Sequence, residues 1–269
     1  MKISLNDGLF YYDRTRTIFQ DLNLNLDEGK ILSILGTNGC GKTTLLKCLC
    51  GLYPFKGGHL FLDGRESLAH YDRCLFFGYV PQATGVPVPY SVFETVLMGR
   101  SRFIGTFSKP TADDIFRVEA LLEKVGITRL ASRSFSSLSG GEKQMVLICR
   151  ALATEAEVLV FDEPTSALDL VNQHNTIDLM HKLSHDEGYS IIFSTHDPSH
   201  ALHLSDYTIM MDKAGNSSFG RAEEIITEAR LRSLFGVETR ILNVEGVNGS
   251  DCRVVMPVLW ESKKRSVKI

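Results

Sequence analysis

The chain has 269 residues, of which 43% are hydrophobic and 23% are charged, as is ordinary for a globular protein. Its formal net charge of -3 gives no electrostatic reason to expect a nucleic-acid partner, which usually draws a strongly basic surface. No apolar stretch approaches the roughly 20 residues that a bilayer-spanning helix needs, so we expect any role at a membrane to depend on a partner.

The cysteines and the N-terminus bear on the redox compartment. The six cysteines form no C-x-x-C pair and match no zinc-binding spacing. Asp7 stands where a signal peptide would have its apolar region. We therefore expect no export and reduced thiols in a cytoplasm.

Apolar periodicity predicts strands that alternate with helices. The predicted strands are residues 17–28, 31–35, 59–62, 76–80, 158–161, 190–194 and 207–211, the last strand of the chain. The predicted helices are residues 43–50, 111–125 and 172–185, with one more after Ser139. The runs at 158–161 and 190–194 are typical of central strands buried on both faces. This alternation predicts an α/β fold with a parallel sheet.

A glycine-rich loop follows the predicted strand at residues 31–35. It reads Gly36-Thr37-Asn38-Gly39-Cys40-Gly41-Lys42-Thr43, which satisfies G-x-x-x-x-G-K-[ST] between a strand and a helix. The glycines let backbone N–H groups point at phosphate oxygens, and the helix start adds its positive dipole end. We expect Lys42 to reach the β- and γ-phosphates of a nucleotide, Thr43 to bind Mg²⁺, and Thr44 to lie close by. The alternative, a glycine-rich turn matched by chance, leaves the agreement of pattern and context unexplained.

Two carboxylates end the apolar run VLVFDE at residues 158–163. A buried strand delivers Asp162 at its carboxyl end, where open α/β sheets bind ligands. We expect Asp162 to hold Mg²⁺, directly or through water, and Glu163 to orient or deprotonate an attacking water. Adjacent carboxylates repel each other, and a bound cation offsets that repulsion. Alone, the segment could equally be a strand that ends in a polar turn before Pro164; the upstream phosphate loop favours the metal site.

The segment Leu138-Ser139-Gly140-Gly141-Glu142 resembles the signature motif of ABC ATPases. Other motifs of that family occur in the correct order, and the resemblance covers roughly residues 3–240. These matches are Tyr12, or alternatively Tyr11, for the aromatic residue that stacks on adenine, Gln82 for the Q-loop, Ser166-Ala167-Leu168-Asp169 for the D-loop, and His196 for the switch histidine.

The resemblance implies a particular α/β architecture. The family has a P-loop NTPase (RecA-like) core with an N-terminal antiparallel β subdomain and an inserted α-helical subdomain, here at about residues 84–150. Residues 1–240 would form this nucleotide-binding domain and residues 241–269 a C-terminal extension.

The resemblance also implies ATP hydrolysis, with ATP and Mg²⁺ bound by a homodimer. Each γ-phosphate would lie between the phosphate loop of one copy and the signature of the other. Ser139, Gly140, Gly141 and Glu142 would supply that second contact, since a helix start binds anions. Asp169 would link the two sites across the dimer. The residues expected to act in catalysis are Lys42, Gln82 at Mg²⁺ or the lytic water, Glu163, and His196 at the γ-phosphate.

The stretch after the Q-loop favours an importer. Residues 90–100 (YSVFETVLMGR) resemble ATPases that drive uptake of iron chelates, haem and cobalamin, or of molybdate and tungstate. In that group the region forms a groove for a membrane permease, and a substrate-binding protein is an indirect partner. A groove would involve Pro81, Val86, Pro87, Val88, Pro89 and Phe93. The expected location is the cytoplasmic face of the inner membrane. The alternative is a stand-alone ABC ATPase such as one for iron–sulfur cluster assembly, which the VLMGR segment disfavours.

Two further expectations concern single side chains. Cys40 lies near a helix start and Lys42, so we expect a lowered thiol pKa, ready alkylation and protection by ATP. The pairs His181 and His185, and His196 and His200, have a helical spacing that can bind metal. We expect no metal there, because nothing supplies further ligands.

Overall fold

A computed structural model describes residues 1–13, 16–67, 71–82, 89–105, 107–245 and 251–258. Its strands are β1 (Ile3–Tyr11), β2 (Thr17–Leu26), β3 (Ile31–Gly36), β4 (Gly57–Leu62), β5 (Arg65–Glu66), β6 (Phe77–Val80), β7 (Val158–Phe161), β8 (Ser190–Thr195), β9 (Tyr207–Met211), β10 (Ser217–Arg221), β11 (Thr239–Glu245) and β12 (Asp251–Pro257). Its α-helices are α1 (Lys42–Leu49), α2 (Val92–Leu97), α3 (Ala112–Lys124), α4 (Gly140–Leu152), α5 (Leu170–His185), α6 (Pro198–Leu204), α7 (Ala222–Ile225) and α8 (Glu228–Phe235). Short 3₁₀ helices span Tyr71–Leu75, Met98–Arg100, Thr128–Leu130 and Phe135–Ser137.

The central sheet has the strand order β10-β9-β3-β8-β7-β6. All neighbours pair in parallel except β10, which runs antiparallel to β9 at one edge. Every residue of β3, β7 and β8 is buried, as expected for parallel strands covered on both faces. The predicted parallel α/β sheet is therefore confirmed. The expectation that residues 207–211 form the last strand is wrong, because β10, β11 and β12 follow.

A second sheet of four strands lies beside the core, in the order β2-β1-β4-β5, with every pair antiparallel. Its buried side chains include Ile3, Leu5 and Leu22, which join the same apolar cluster as residues of β3 and α1. This sheet is the N-terminal antiparallel subdomain that the family resemblance implied.

The helices α2, α3 and α4 form a subdomain that packs on β7 and β8 through a second apolar cluster. All three helices begin with a capping box, formed by Ser91, Thr111 and Ser139 with the residue three positions on. The buried guanidinium of Arg100 contacts Asp114 at 3.1 Å and Glu155 at 2.6 Å. Since Glu155 lies just before β7, this pair of contacts ties the helical subdomain to the core.

The chain after β10 packs as a small unit against α6. Ile241 and Val255 lie against a cluster that contains Leu231, and the Val255 N–H donates to Ser199 Oγ at 3.1 Å. Strand β11 runs across residue 240, where the sequence prediction placed the start of an extension. Within the described ranges, no helix has the length and apolarity to cross a bilayer.

Candidate active site

The phosphate loop runs from the end of β3 to the start of α1 and leaves little room for side chains. A Cβ on Gly36 would lie 2.5 Å from Cys40 Sγ and 2.6 Å from the Met211 carbonyl oxygen. Gly41 has φ 109°, a conformation that residues with a Cβ rarely adopt. These glycines let the loop curl tightly before α1 begins at Lys42, so its N–H groups can face a bound anion.

Lys42 lies at the centre of this loop and is 5% exposed. Its ammonium donates to the carbonyl oxygens of Gly36 at 3.0 Å and Thr37 at 3.3 Å, and its Nζ is 3.2 Å from Glu163 Oε1. A buried charge needs a partner of opposite sign, and Glu163 supplies it here. An anionic phosphate could replace Glu163 as the partner of the ammonium. Lys42 therefore lies where a residue that binds the β- and γ-phosphates is expected.

Asp162 receives three hydroxyl donors at the end of β7. Thr43 Oγ1 donates to Oδ1 at 2.9 Å, Ser194 Oγ donates to Oδ1 at 2.8 Å, and Tyr79 OH donates to Oδ2 at 2.9 Å. The phosphate loop, the acidic strand and the two strands beside it thus meet at one carboxylate. Burial and the carboxylate raise the pKa of Tyr79 well above its usual value, which keeps this phenol a donor.

The donor atoms at Asp162 fit a magnesium ion. Mg²⁺ prefers hard oxygen ligands, and it is usually held by one or two side chains together with phosphate oxygens and water. The Thr43 hydroxyl and the Asp162 carboxylate are such ligands, and they lie in hydrogen-bond contact. Two of the three predicted metal ligands, Thr43 and Asp162, therefore lie together, and Gln82 does not contact either of them.

Glu163 is the residue after Asp162, and its carboxylate lies beside Lys42 and His196. Its backbone has φ 47°, a left-handed conformation that is uncommon without glycine. Ser194 Oγ accepts the Glu163 N–H at 2.9 Å, which supports this turn. One carboxylate oxygen faces Lys42, and the other lies 3.6 Å from His196 Nδ1. Three of the predicted catalytic residues thus share one cluster.

A pocket of about 220 Å³ opens over the phosphate loop. Its lining residues are Tyr12, Arg16, Ile18, Gly39, Gly41, Lys42, Thr43, Thr44 and Glu163. Tyr12 is 58% exposed, and its hydroxyl lies 3.0 Å from Thr44 Oγ1. Tyr11, the alternative, lies instead near the Lys56 ammonium. The arrangement favours Tyr12 as the aromatic residue beside a nucleotide base.

Gln82 contacts the D-loop, and Asp169 contacts the helix that follows it. Gln82 Nε2 donates to Ser166 Oγ at 3.2 Å, so the Q-loop and the D-loop touch. Asp169 caps α5, where it accepts the Asn172 N–H at 2.8 Å and the Asn172 side-chain amide at 3.0 Å. Their predicted roles at Mg²⁺ and across a dimer remain predictions.

The signature motif lies away from this pocket, and none of its described residues lines it. Ser139 caps α4, and Gly140 and Gly141 form its first turn. A Cβ on Gly141 would lie 2.2 Å from Asn172 Oδ1, so the start of α4 packs directly on the start of α5. One chain therefore carries two separate anion-binding helix starts, at α1 and at α4.

The expectation for Cys40 is wrong. Its side chain is 3% exposed, and burial raises the pKa of the thiol, while the nearby Lys42 only partly opposes this effect. The Sγ atom fills the space beside Gly36. Cys40 is a buried packing residue, and its easy alkylation is not expected.

Sequence reasoning missed three residues of the site: Arg16 on the rim of the pocket, and Tyr79 and Ser194 on Asp162. Ser194 had a signal, because a hydroxyl in an otherwise apolar buried strand needs a hydrogen-bond partner. Tyr79 and Arg16 had none that a single sequence shows.

The chain matches the ABC transporter family over residues 19–166. The molybdate import ATP-binding protein MolC of Haemophilus influenzae is 40% identical over 234 residues, 87% of this chain and 87% of MolC. The iron(3+)-hydroxamate import ATP-binding protein FhuC of Bacillus subtilis is 32% identical over 247 residues, 91% of each chain. An ABC transporter structure of metal-chelate type, in an inward-facing conformation, has a TM-score of 0.85 at 36% identity and covers 95% of this chain and 96% of that chain.

The chain belongs to the ABC transporter family, in which it is an ATP-binding subunit. It binds nucleotide and is an ATPase whose hydrolysis is coupled to transport. The predicted family, fold and enzyme class are confirmed.

Proposed function

We propose that this chain drives import of a metal chelate or a metal oxyanion through a separate membrane permease. The named relatives import molybdate and iron(3+)-hydroxamate, and the named structure is of metal-chelate type. They support this substrate range, which includes iron-siderophore, haem, cobalamin, molybdate and tungstate. None of these names points to iron–sulfur cluster assembly.

The site supports hydrolysis by an activated water. Glu163 is the group that orients the water and accepts its proton, since its carboxylate lies beside both Lys42 and His196. Lys42 and the loop N–H groups hold the phosphates, and His196 faces the γ-phosphate. Bound at Thr43 and Asp162, Mg²⁺ would neutralise charge on the phosphate oxygens. Tyr12 lies where it can stack on the base.

The single observation that supports a dimer is that the two helix starts expected to bind anions are separate within one chain. A second copy, packed head to tail, would bring its signature over the first copy's pocket, so ATP would lie between Lys42 of one copy and Ser139 of the other. ATP would hold the dimer closed, and its hydrolysis would release it.

The permease would contact the region between the Q-loop and α2. Residues 83–88, with Val86, Pro87 and Val88, lie outside the described residues. Of the predicted groove residues that are described, Pro81 is partly exposed, Pro89 is exposed, and Phe93 packs partly on the helical subdomain. The permease would place the subunit on the cytoplasmic face of the inner membrane, with a substrate-binding protein as an indirect partner.

Glu163→Gln tests the dimer and the role of Glu163. We expect the variant to bind Mg-ATP but to hydrolyse it about 10²–10⁴-fold more slowly, because it lacks the general base. It should therefore shift from monomer to dimer on size-exclusion chromatography when Mg-ATP is added. Lys42→Ala in the same background is the control and should stay monomeric. Hydrolysis at the wild-type rate would contradict the assignment of Glu163.

A further inference from the structure

The start of α4 carries its own negative charge. Glu142 Oε2 accepts the Ser139 N–H at 3.0 Å, and Ser139 Oγ accepts the Glu142 N–H at 3.3 Å. These hydrogen bonds, with the nearby arginines, lower the pKa of Glu142, so its side chain is a carboxylate at neutral pH. One N–H that could bind a phosphate is therefore already engaged by an anion.

This carboxylate affects the free chain and the nucleotide-bound dimer in opposite ways. An acidic group in the first turn stabilises a helix, because it lies at the positive end of the helix dipole. The same charge repels a triphosphate that approaches the same N–H groups. Without compensation, the signature would be a poor site for the nucleotide of a second copy.

Two arginines face the oxygen of Glu142 that is not used in capping. Arg129 Nη2 lies 3.6 Å and Arg133 Nη1 lies 3.8 Å from Glu142 Oε1. Two guanidinium charges thus oppose one carboxylate, and the cluster keeps a net positive charge. The Arg129 side chain is 74% exposed and lines an open cleft of about 380 Å³ that also contains Gly141 and Glu142.

We propose that Arg129 and Arg133 neutralise Glu142 and make the start of α4 attractive to the triphosphate held by a second copy. The inference rests on the proposed dimer and adds two positioning residues to its nucleotide site. They act through charge, so they depend on Glu142: where residue 142 is uncharged, the arginines are largely dispensable.

The test compares variants in the Glu163→Gln background by the Mg-ATP concentration that gives half-maximal dimer in sedimentation velocity. Replacing both Arg129 and Arg133 by Ala should raise that concentration about tenfold, since each dimer loses the cluster twice and exposed ion pairs are individually weak. Adding Glu142→Gln should return it to within about twofold of the parent. Arg117→Ala is the control, because Arg117 is about as exposed as Arg133 and contacts Asp113 and Glu155, away from the start of α4.

The rescue separates charge from folding. If the arginines only stabilised the loop, Glu142→Gln would not restore dimerisation, and that result would overturn the proposal. Replacing both arginines by Lys keeps the charge and should leave dimerisation close to that of the parent; a tenfold loss with Lys would also overturn it. A parent that dimerises while the alanine variant behaves identically would refute this inference alone. A parent that stays monomeric would refute the proposed dimer as well.

Discussion

At the scale of single residues, Ser194 makes two connections that no other described side chain makes together. Its hydroxyl donates to Asp162 Oδ1 and accepts the N–H of Glu163. It therefore fixes the positions of Asp162, the proposed Mg²⁺ ligand, and Glu163, the proposed general base, relative to each other. Because Ser194 is fully buried, water cannot replace these hydrogen bonds.

Ser194→Ala should impair the Mg²⁺ dependence of ATPase activity more than it lowers the stability of the fold. Loss of two hydrogen bonds to a charged group and a strained turn should raise the Mg²⁺ concentration for half-maximal ATPase activity about 5–30-fold. Ser33→Ala is the matched control, since Ser33 is equally buried in the same sheet and its hydroxyl pairs with Thr208. Equal shifts of the Mg²⁺ dependence in both variants would show that Ser194 has no special role.

The residue scale also shows what a sequence pattern can and cannot give. The proximity of Thr43 and Asp162 could be predicted, because their two motifs assign both residues to one Mg²⁺. The pKa shift of the Cys40 thiol could not be predicted. Burial raises this pKa and the charge of Lys42 lowers it, so the direction of the shift depends on which effect is larger. That balance is set by packing around Gly36 and is invisible in the motif.

At the scale of elements, the helical subdomain depends on a close backbone contact. A Cβ on Gly99, in the 3₁₀ turn after α2, would lie 2.2 Å from the Arg150 carbonyl oxygen in α4. A backbone atom cannot move aside as a side chain can, so α2 and α4 would have to separate. Gly99 therefore sets the distance between these two helices.

Gly99→Ala should lower the free energy of unfolding by about 1–3 kcal/mol through this overpacking. Urea denaturation followed by circular dichroism measures the change. Gly105→Ala is the control, because among the described residues a Cβ there would meet only the Ser108 side chain, at 3.0 Å. Stability like that of the wild type for Gly99→Ala would mean that the α2–α4 contact is looser than described.

Strands with strong apolar runs could be predicted to within one residue at each end, whereas the polar strand β10 could not be predicted. The bounds of β7 and β9 agree with the predictions at 158–161 and 207–211. Strand β10 reads SSFGR and pairs on one side only, so its sequence carries no buried-strand pattern. Helix α2 has six residues, too few for a helical period to show.

At the scale of the whole molecule, the proposed head-to-tail dimer would have each chain supply half of two sites. Lys42→Ala should abolish phosphate binding at the phosphate loop. Gly140→Asp should place a repelling charge at the signature, where, of the part of the chain that the structure describes, a Cβ would meet only Leu168, at 3.5 Å. Each variant alone should be inactive, since both of its dimeric sites carry a defect. Mixed dimers should have one intact site.

An equal mixture of the two variants should regain about a quarter of the wild-type ATPase rate, if copies pair at random and the sites turn over independently. Steady-state ATPase assays of the separate and mixed proteins measure this recovery. An unmixed control of each variant at twice the concentration excludes residual activity. A mixture as inactive as its components would contradict the shared site.

The separation of the two helix starts has a genetic consequence. In the proposed dimer a defective signature would impair the nucleotide site of the copy it meets, so an allele such as Gly140→Asp would act in a cell that also makes the wild-type chain. Half of the nucleotide sites in mixed dimers would be lost, although the phosphate loops of both copies carry no mutation. Such alleles would behave as partly dominant, and their severity would follow the ratio of the two gene products.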